Sequence, residues 1–286
     1  MEKTWQELLA LGGAYLDGKG VPDAAVAMEL LAARLLKCGR GFLSPHLGKV
    51  PDERIVAALR RGMSRLVAGE PVQYVLSEWD FRSLTLTCDK RALIPRPETE
   101  ELVTRVLAFA AAYGRDRPFV VDVGTGSGCI LLSLASEMKD GIFLGIDISA
   151  DAVALATENA ARCGLSDKVR FAVTDGLDDF DEPGTIDILV SNPPYIPTAE
   201  CATLDPRIRN HEPMTALDGG ADGLDFYDRL IGDALNVLTP GGGAFFEIGD
   251  GQGQAIRKLF FDAGFDDIRI ERDYAGHERY ASAVLP

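Results

Sequence analysis

The stretch FVVDVGTGSGC, Phe119 to Cys129, joins a short apolar run to three glycines at alternating positions. The apolar run lacks polar alternation, which is typical of a parallel strand buried on both faces. Gly124, Gly126 and Gly128 then predict a tight turn, because glycine permits unusual backbone angles and lets a ligand approach the main chain. The next residues, CILLSLASEM, predict a helix. This order of strand, glycine turn and helix indicates a ligand-binding α/β fold.

Strands and helices alternate from this turn to the end of the chain. Further strands are predicted at IFLGIDIS, VRFAVTDG, IDILVSN and GGGAFFEIG, and two closing strands fit FDDIRIERD and RYASAVLP. Ser149 is placed to cap the helix after the second strand. We therefore predict a seven-stranded, doubly wound α/β sheet of Rossmann-like type.

Three segments with different patterns divide the chain. Residues 1–70 show apolar residues at helical spacing and predict a small helical bundle. Residues 71–92 show strand-like alternation and predict a β-hairpin linker. Residues 93–286 then form the predicted α/β domain.

The hairpin prediction depends on Val72, Tyr74, Leu84 and Leu86, which alternate with polar residues. The prolines of the following segment, ALIPRPETEELV, disfavour both a strand interior and an early helix. We predict that the next helix begins at Thr99.

Composition and charge exclude several classes of protein. The formal net charge of −15 over 286 residues repels phosphate backbones, so nonspecific nucleic-acid binding is disfavoured. The five cysteines show no zinc-type spacing, and no bound metal is expected. No apolar run reaches the roughly 18 residues that a membrane span requires. The expected location is the cytoplasm.

Three acidic residues surround the predicted turn. Asp147 ends the second strand, where a carboxylate can accept both hydroxyls of a ribose. Asp122 lies inside the first strand, where it is costly unless paired, and it is placed to order the turn through main-chain N–H groups. Asp175 follows the third strand and either meets an adenine edge or serves as a simple turn residue. These features fit either NAD or S-adenosylmethionine.

The segment SNPPYIP, Ser191 to Pro197, ends the fourth strand beside the glycine turn. The Asn192 side-chain carbonyl and the Pro193 main-chain carbonyl supply two acceptors, and Tyr195 supplies an aromatic wall. Two acceptors can hold both hydrogens of a planar NH₂ group, so that its lone pair faces an electrophile. A Pro-Pro surface turn is the structural alternative.

The motifs VDVGTGSG, GIDIS and SNPPYI together resemble a class I S-adenosylmethionine-dependent methyltransferase that acts on a planar nitrogen. NPPY is shared by DNA adenine-N6 enzymes and protein glutamine-N5 enzymes. The segments LIPRPETEELV, HEPMTALDGGADGLDFY and RDYAGHERY, with the helical N-terminal block, resemble the release-factor glutamine methyltransferases of the PrmC or HemK family. The resemblance covers nearly the whole chain.

The resemblance implies methyl transfer from S-adenosyl-L-methionine to the glutamine of the Gly-Gly-Gln motif in class 1 peptide chain release factors, with S-adenosyl-L-homocysteine as product. It implies that the substrate glutamine is held by Asn192, Pro193, Pro194 and Tyr195. The expected cofactor site comprises Gly124, Thr125, Gly126, Ser127, Gly128, Asp147, Asp175, Gly176 and Asn192. Gly176 stands where some relatives carry an aromatic over the adenine, and Leu177 is the candidate replacement.

Several expectations concern partners and roles that the motifs leave open. The helical segment 1–70 is expected to bind the release factor, and the chain is expected to be a monomer without direct nucleic-acid contacts. The alternative function is a nucleic-acid adenine-N6 methyltransferase, which would need a basic face and a base-flipping groove. Arg96 and Glu98 either close over the cofactor or stabilise the hairpin. The loop 218–223 either shapes a peptide groove or is a mobile surface loop.

Overall fold

The structure is a computed structural model that describes residues 2–177, 180 and 183–286. Two compact units are present. One comprises residues 2–78 with Asp205–His211, and the other comprises Trp79–Leu204 with Glu212–Pro286. Within the described residues, no helix has the length and apolar character needed to cross a membrane.

The secondary structure begins with helices and then alternates. The helices are α1 (Trp5–Asp17), α2 (Ala24–Leu36), α3 (Glu53–Val67), α4 (Val72–Leu76), α5 (Pro97–Tyr113), α6 (Cys129–Glu137), α7 (Ala150–Arg162), α8 (Thr198–Cys201), α9 (Pro206–Arg209), α10 (Asp225–Val237) and α11 (Gly253–Asp262). The strands are β1 (Glu78–Phe81), β2 (Leu84–Thr87), β3 (Phe119–Val123), β4 (Ile142–Asp147), β5 (Val169–Val173), β6 (Ile186–Ser191), β7 (Leu238–Glu247), β8 (Asp266–Arg272) and β9 (Glu278–Val284).

The helical character predicted for the N-terminal segment is confirmed. Thr4 and Glu7 form a reciprocal capping box at the start of α1, and the Asp52 carboxylate accepts from the main chain at the start of α3. Helices α1 and α2 pack closely at Gly12, where an added Cβ would lie 2.3 Å from the Met28 methyl carbon. Local caps and close packing therefore build this small bundle.

The prediction of a strand through Val72 and Tyr74 is wrong, because these residues form helix α4. Tyr74, Val75 and Leu76 are all buried in succession, which a half-buried strand does not allow. The Arg65 guanidinium donates to the carbonyls of Tyr74 and Val75 and satisfies the end of this short helix. A two-stranded hairpin is present nearby, but it comprises β1 and β2, so only its second strand lies where the sequence predicted one.

Helix α5 begins at Pro97, two residues before the predicted start at Thr99. Proline is favoured in the first turn of a helix, because its missing N–H has no intrahelical acceptor there. Proline therefore marks the helix start here instead of excluding it.

The seven-stranded sheet has the order β5-β4-β3-β6-β7-β9-β8 and confirms the predicted fold class. Strands β3 to β7 pair in parallel, whereas β9 is antiparallel to both β7 and β8. Connections leave β3 and β6 towards opposite edges of the sheet, which makes this the switch point where α/β proteins bind ligands. Val123 is in register with Ser191, so the glycine turn and the NPPY segment emerge side by side.

Buried residues cover both faces of the sheet. One cluster joins α10 and α11 to the sheet through residues such as Tyr227 and Phe260. The other joins α5 and α6 to the opposite face and also contains Phe81 and Leu86 of the hairpin. Apolar packing on both faces fixes the strands, and the strand ends hold the site.

Candidate functional site

A cavity of about 670 Å³ lies beyond the carboxyl ends of β3 and β6. Its lining includes every predicted site residue except Gly128 and Tyr195, namely Gly124, Thr125, Gly126, Ser127, Asp147, Asp175, Gly176, Asn192, Pro193 and Pro194. The structure therefore brings the glycine turn, the acid of β4 and the NPPY segment into one cleft.

The glycine turn is held by the acid that ends β4. Gly124 and Gly126 have φ values of 70° and 56°, which residues with a Cβ rarely adopt. The Asp147 carboxylate accepts from the main-chain N–H of Gly126 at 2.9 Å and from that of Ser149 at 2.9 Å. Burial raises the pKa of Asp147, while these two hydrogen bonds oppose the rise. The carboxylate thus positions the turn and borders the cavity.

A second carboxylate, Asp122, lies fully buried beneath the turn. It accepts from the Thr125 side-chain hydroxyl at 2.7 Å, whereas the sequence predicted bonds to main-chain N–H groups of the turn. Burial raises the pKa of Asp122 to about 7. Gly128 lies behind the turn, where an added Cβ would be 3.2 Å from both Ala156 and Leu132. Gly128 therefore permits close packing of helix α6.

Arg229 lies over Gly176 at the end of the cavity beside β5. An added Cβ at Gly176 would lie 3.1 Å from the central carbon of the guanidinium. The same guanidinium donates to the Asp175 carboxylate at 2.6 Å and to the Asp175 carbonyl at 2.7 Å. Leu177 is buried in the core and does not line the cavity. The planar group beside Gly176 is thus Arg229, from helix α10.

The Asn192 side chain is hydrogen-bonded on the side of helix α5. Its Nδ2 donates to Thr99 Oγ1 at 3.3 Å, and Thr99 Oγ1 donates to Glu247 Oε2 at 2.7 Å. Both Thr99 and Glu247 are 2% exposed. Burial raises the pKa of Glu247 to about 7, against the lowering effect of the bond from Thr99 and of the Arg279 charge.

The NPPY backbone is held by the loop 218–223. Gly219 N donates to the Ile196 carbonyl at 2.8 Å, and an added Cβ at Gly219 would lie 2.7 Å from the Pro194 carbonyl oxygen. Gly223 approaches the Tyr195 carbonyl so closely that an added Cβ would lie 2.3 Å from its oxygen. These contacts make the loop a fixed support for the corner.

Gln252 links the same parts from the start of α11. Its Nε2 donates to the carbonyls of Tyr195 at 3.0 Å and Gly223 at 3.2 Å. Tyr195 packs against the core, and burial raises its pKa to about 12. Tyr195 therefore anchors the corner from behind the cavity wall.

The segment around Arg96 covers the cavity from a further side. Arg96 Nη2 donates to Glu212 Oε1 at 2.5 Å, and Ile94 N donates to Glu212 Oε2 at 3.0 Å. Glu212 is itself 5% exposed. Arg96 thus joins two cavity-lining segments, whereas Glu98 contributes its main-chain carbonyl to the Tyr280 hydroxyl.

Four residues at the cavity were not predicted from the sequence as site residues: Thr99, Glu212, Arg229 and Glu247. Glu247 could have been predicted from the sequence, because it is a carboxylate at the end of the apolar run GGGAFFE. Asp122 occupies a similar position within the apolar run FVVDV. Thr99 and Arg229 lie on helices α5 and α10. The spacing of apolar residues shows which face of a helix is buried, but it does not show which residues of the helix reach a cleft. Glu212 precedes a proline in an irregular segment without periodicity.

The fold and site define the class of S-adenosylmethionine-dependent methyltransferases. Residues 118–255 match the model of a methyltransferase domain, and residues 7–76 match that of the PrmC N-terminal domain.

Curated relatives define the particular family. The Geobacter sulfurreducens release factor glutamine methyltransferase is 36% identical over 96% of this chain and 95% of its own. The enzyme of that name from Caulobacter vibrioides is 40% identical over 92% of this chain and 91% of its own. This chain belongs to the family of release factor glutamine methyltransferases.

Solved structures support the fold. The hMettl16 catalytic domain in complex with MAT2A 3'UTR hairpin 1 aligns with a TM-score of 0.56 and 18% identity over 83% of each chain. A methyltransferase from Pyrococcus furiosus aligns with a TM-score of 0.51 and 18% identity, over 70% of this chain and 88% of that one. At such identity, the likeness concerns the fold alone.

Proposed function

We propose that this protein transfers a methyl group from S-adenosyl-L-methionine to the side-chain nitrogen N5 of the Gly-Gly-Gln glutamine in class 1 peptide chain release factors. The observation that carries this proposal is that the glycine turn and Asn192 line the same cavity. The NH₂ group of Asn192 donates to Thr99, which leaves its carbonyl oxygen to accept from a substrate. Membership of the release factor glutamine methyltransferase family supports the same substrate class.

The cavity has the donors and acceptors that S-adenosylmethionine requires. The glycine turn offers main-chain groups to the methionine part, and Asp147 offers a carboxylate to the ribose hydroxyls. Asp175, Gly176 and Arg229 border the region assigned to the adenine. When bound, the cofactor supplies an electrophilic methyl carbon on a positively charged sulfur.

The residues of the NPPY corner orient the weakly nucleophilic amide. Asn192 Oδ1 and the Pro193 carbonyl oxygen accept the two N–H groups of the substrate, so the nitrogen lone pair is directed along the cleft. No described residue donates a main-chain hydrogen bond to the Pro193 carbonyl. With the cofactor bound, the methyl carbon would leave its sulfur as it joins the nitrogen that Asn192 and Pro193 hold, and the nitrogen would then release a proton to solvent. Pro194 and Tyr195 maintain the shape of this corner.

The charge of the chain favours a protein substrate over a nucleic acid. A net charge of −15 opposes a phosphate backbone and complements a release factor, which must carry basic patches for RNA. We further propose that the helical unit contacts the release factor and that the protein acts as a monomer.

Mass spectrometry of release factors tests this function. Two class 1 release factors are incubated with the protein and cofactor, and the Gly-Gly-Gln peptide is expected to gain about 14 daltons, the difference between CH₃ and H. Tritium transfer to unmethylated DNA is measured in parallel. Label in DNA without label in the release factors would contradict the proposal and support adenine-N6 methylation.

A further inference from the structure

Three side chains form a hydrogen-bonded chain with a defined direction. Asn192 Nδ2 donates to Thr99 Oγ1 at 3.3 Å, and Thr99 Oγ1 donates to Glu247 Oε2 at 2.7 Å. Asn192 follows β6, Thr99 lies on α5 and Glu247 ends β7, so only the tertiary fold brings the three residues together. Thr99 and Glu247 are almost inaccessible to solvent. Water therefore does not readily replace either bond.

The direction of this chain follows from its carboxylate end. Above about pH 7 the Glu247 carboxylate is mostly ionised and only accepts hydrogen bonds, so the single hydroxyl proton of Thr99 is committed to it. The Thr99 oxygen then presents a lone pair to Asn192, and only the NH₂ end of the amide can bind there. An amide turned by 180° would set two acceptor oxygens against each other.

The fixed amide orientation has a consequence at the cavity. The carbonyl and NH₂ branches of a planar amide diverge, so Asn192 Oδ1 is directed away from Thr99. Asn192 lines the cavity, and an acceptor there suits an N–H donor of the substrate. The opposite orientation would present an NH₂ group to the substrate NH₂ and would remove one of the two acceptors.

We propose that Thr99 and Glu247 are positioning residues for methyl transfer, because they hold the Asn192 amide with its carbonyl oxygen towards the substrate nitrogen. This inference rests on the proposed function and adds residues that do not touch the reacting atoms. Their effect is expected in kcat, because the affected bond orients the nucleophile in the bound complex.

Substitutions of Thr99 test the chain directly. Thr99→Val keeps the side-chain shape but removes the hydroxyl, so kcat is expected to fall roughly tenfold to a hundredfold. The KM for the release factor and the Kd for the cofactor should stay within about threefold of the wild-type values. Thr99→Ser retains the hydroxyl and should recover most of the lost kcat. Assays at about pH 8.5 keep the Glu247 carboxylate ionised.

A matched control lies on the same helix. Thr104→Val makes the same chemical change on α5, where the hydroxyl accepts from Arg82 Nη1 and donates to the Glu100 carbonyl outside the cavity. Its kcat should equal that of the wild type. A Thr99→Val protein with kcat within twofold of this control would overturn the proposal.

Glu247→Gln provides a second test that preserves shape. A glutamine amide can present either its carbonyl or its NH₂ group to Thr99, so the direction of the chain is no longer enforced. We expect kcat to fall roughly threefold to tenfold, and the loss should not add to that of Thr99→Val. This variant decides the question if Thr99→Val does not fold, and an unchanged kcat would overturn the proposal.

A spectroscopic measurement separates this inference from the proposed function. The side-chain NH₂ signals of Asn192 in nitrogen-15 NMR spectra are assigned through their loss in Asn192→Asp. Hydrogen exchange of these protons should be faster in Thr99→Val and unchanged in Thr104→Val. The signal needs no substrate, so it tests the amide orientation even if release factors are not methylated. Equal exchange in all three proteins would refute the hydrogen-bonded chain.

Discussion

The two ends of the cavity are built in different ways. At the glycine-turn end, Asp122 and Thr125 lie three residues apart, and Asp147 binds Gly126 from the neighbouring strand. At the NPPY end, Asn192 donates to Thr99 on α5, which in turn donates to Glu247 on β7. The first end thus depends on a few local bonds, whereas the second depends on segments distant in sequence.

This difference separates the expected effects of substitution. Changes at the glycine-turn end should alter cofactor affinity or local stability, because we propose that the residues there hold the cofactor. Changes at the NPPY end should alter kcat, because we propose that the residues there orient the group that reacts. The following four predictions test this separation.

The largest effect is expected for Asn192→Ala. This change removes one of the two acceptors that we propose for the substrate amide, so kcat should fall roughly a hundredfold to a thousandfold while the cofactor Kd stays near the wild-type value. Steady-state kinetics and calorimetric titration measure the two quantities. Asn236→Ala, on the exposed side of α10, is the control. Full activity in Asn192→Ala would refute the assigned role.

The second prediction concerns stability and pH at Asp122. Because burial raises its pKa from 3.8 to about 7, the folded state retains a proton that the unfolded state has lost between these values. The contribution of Asp122 to the free energy of unfolding therefore falls as pH rises from about 4 to 7 and is constant above that range. Asp122→Asn resembles the protonated acid and should lack this dependence.

Urea denaturation at several pH values measures this contribution. The stability of Asp122→Asn relative to the wild type should rise by on the order of 3 kcal/mol between about pH 4 and pH 7. Glu247 is present in both proteins, so its own contribution cancels in the difference. A difference that does not change with pH would contradict the assignment of a raised pKa to Asp122.

The third prediction is weaker cofactor binding in Asp147→Asn. The amide retains an acceptor oxygen but loses the charge that favours the ribose hydroxyls and the Gly126 N–H, so the cofactor Kd should rise about tenfold. At saturating cofactor, kcat should change less than Kd. Asp151→Asn in the exposed first turn of α7 provides a matched control. A lower kcat with unchanged Kd would contradict the division between the two ends.

The smallest effect is expected for Gly223→Ala. The new methyl group would collide with the Tyr195 carbonyl and shift the NPPY corner, so kcat should fall about fivefold with cofactor Kd unchanged. Gly251→Ala is the control, because Gly251 also has a positive φ, at 84°, but nothing lies within 4 Å of an added Cβ. Gly251→Ala should lose about 1 kcal/mol of stability through backbone strain, and Gly223→Ala should lose more because the collision adds to the same strain. Equal kcat in both variants would show that the contact with Tyr195 is unimportant.

Local patterns predicted most of the fold because each depends on neighbouring residues. The apolar runs identified the strands, and Ser149 accepts from Ala152 N as a helix cap. The pattern failed at Val72 and Tyr74, because two alternating positions do not distinguish a strand from one buried helical turn. Most of the residues that the motifs singled out line one cavity, but Tyr195 was expected in the cavity wall and packs behind it.

The sequence by itself determined the doubly wound fold, the glycine turn, the acid after the second sheet strand and the position of NPPY at a strand end. These features follow from backbone sterics and from the register of parallel strands, which act over short distances. Only the tertiary structure decided that Thr99 and Glu247 meet behind Asn192, that Arg229 lies over Gly176, and that Gly219 and Gly223 support the corner. Such contacts depend on which helix face and which loop reach the cleft, and hydrophobic periodicity carries no information about these partners.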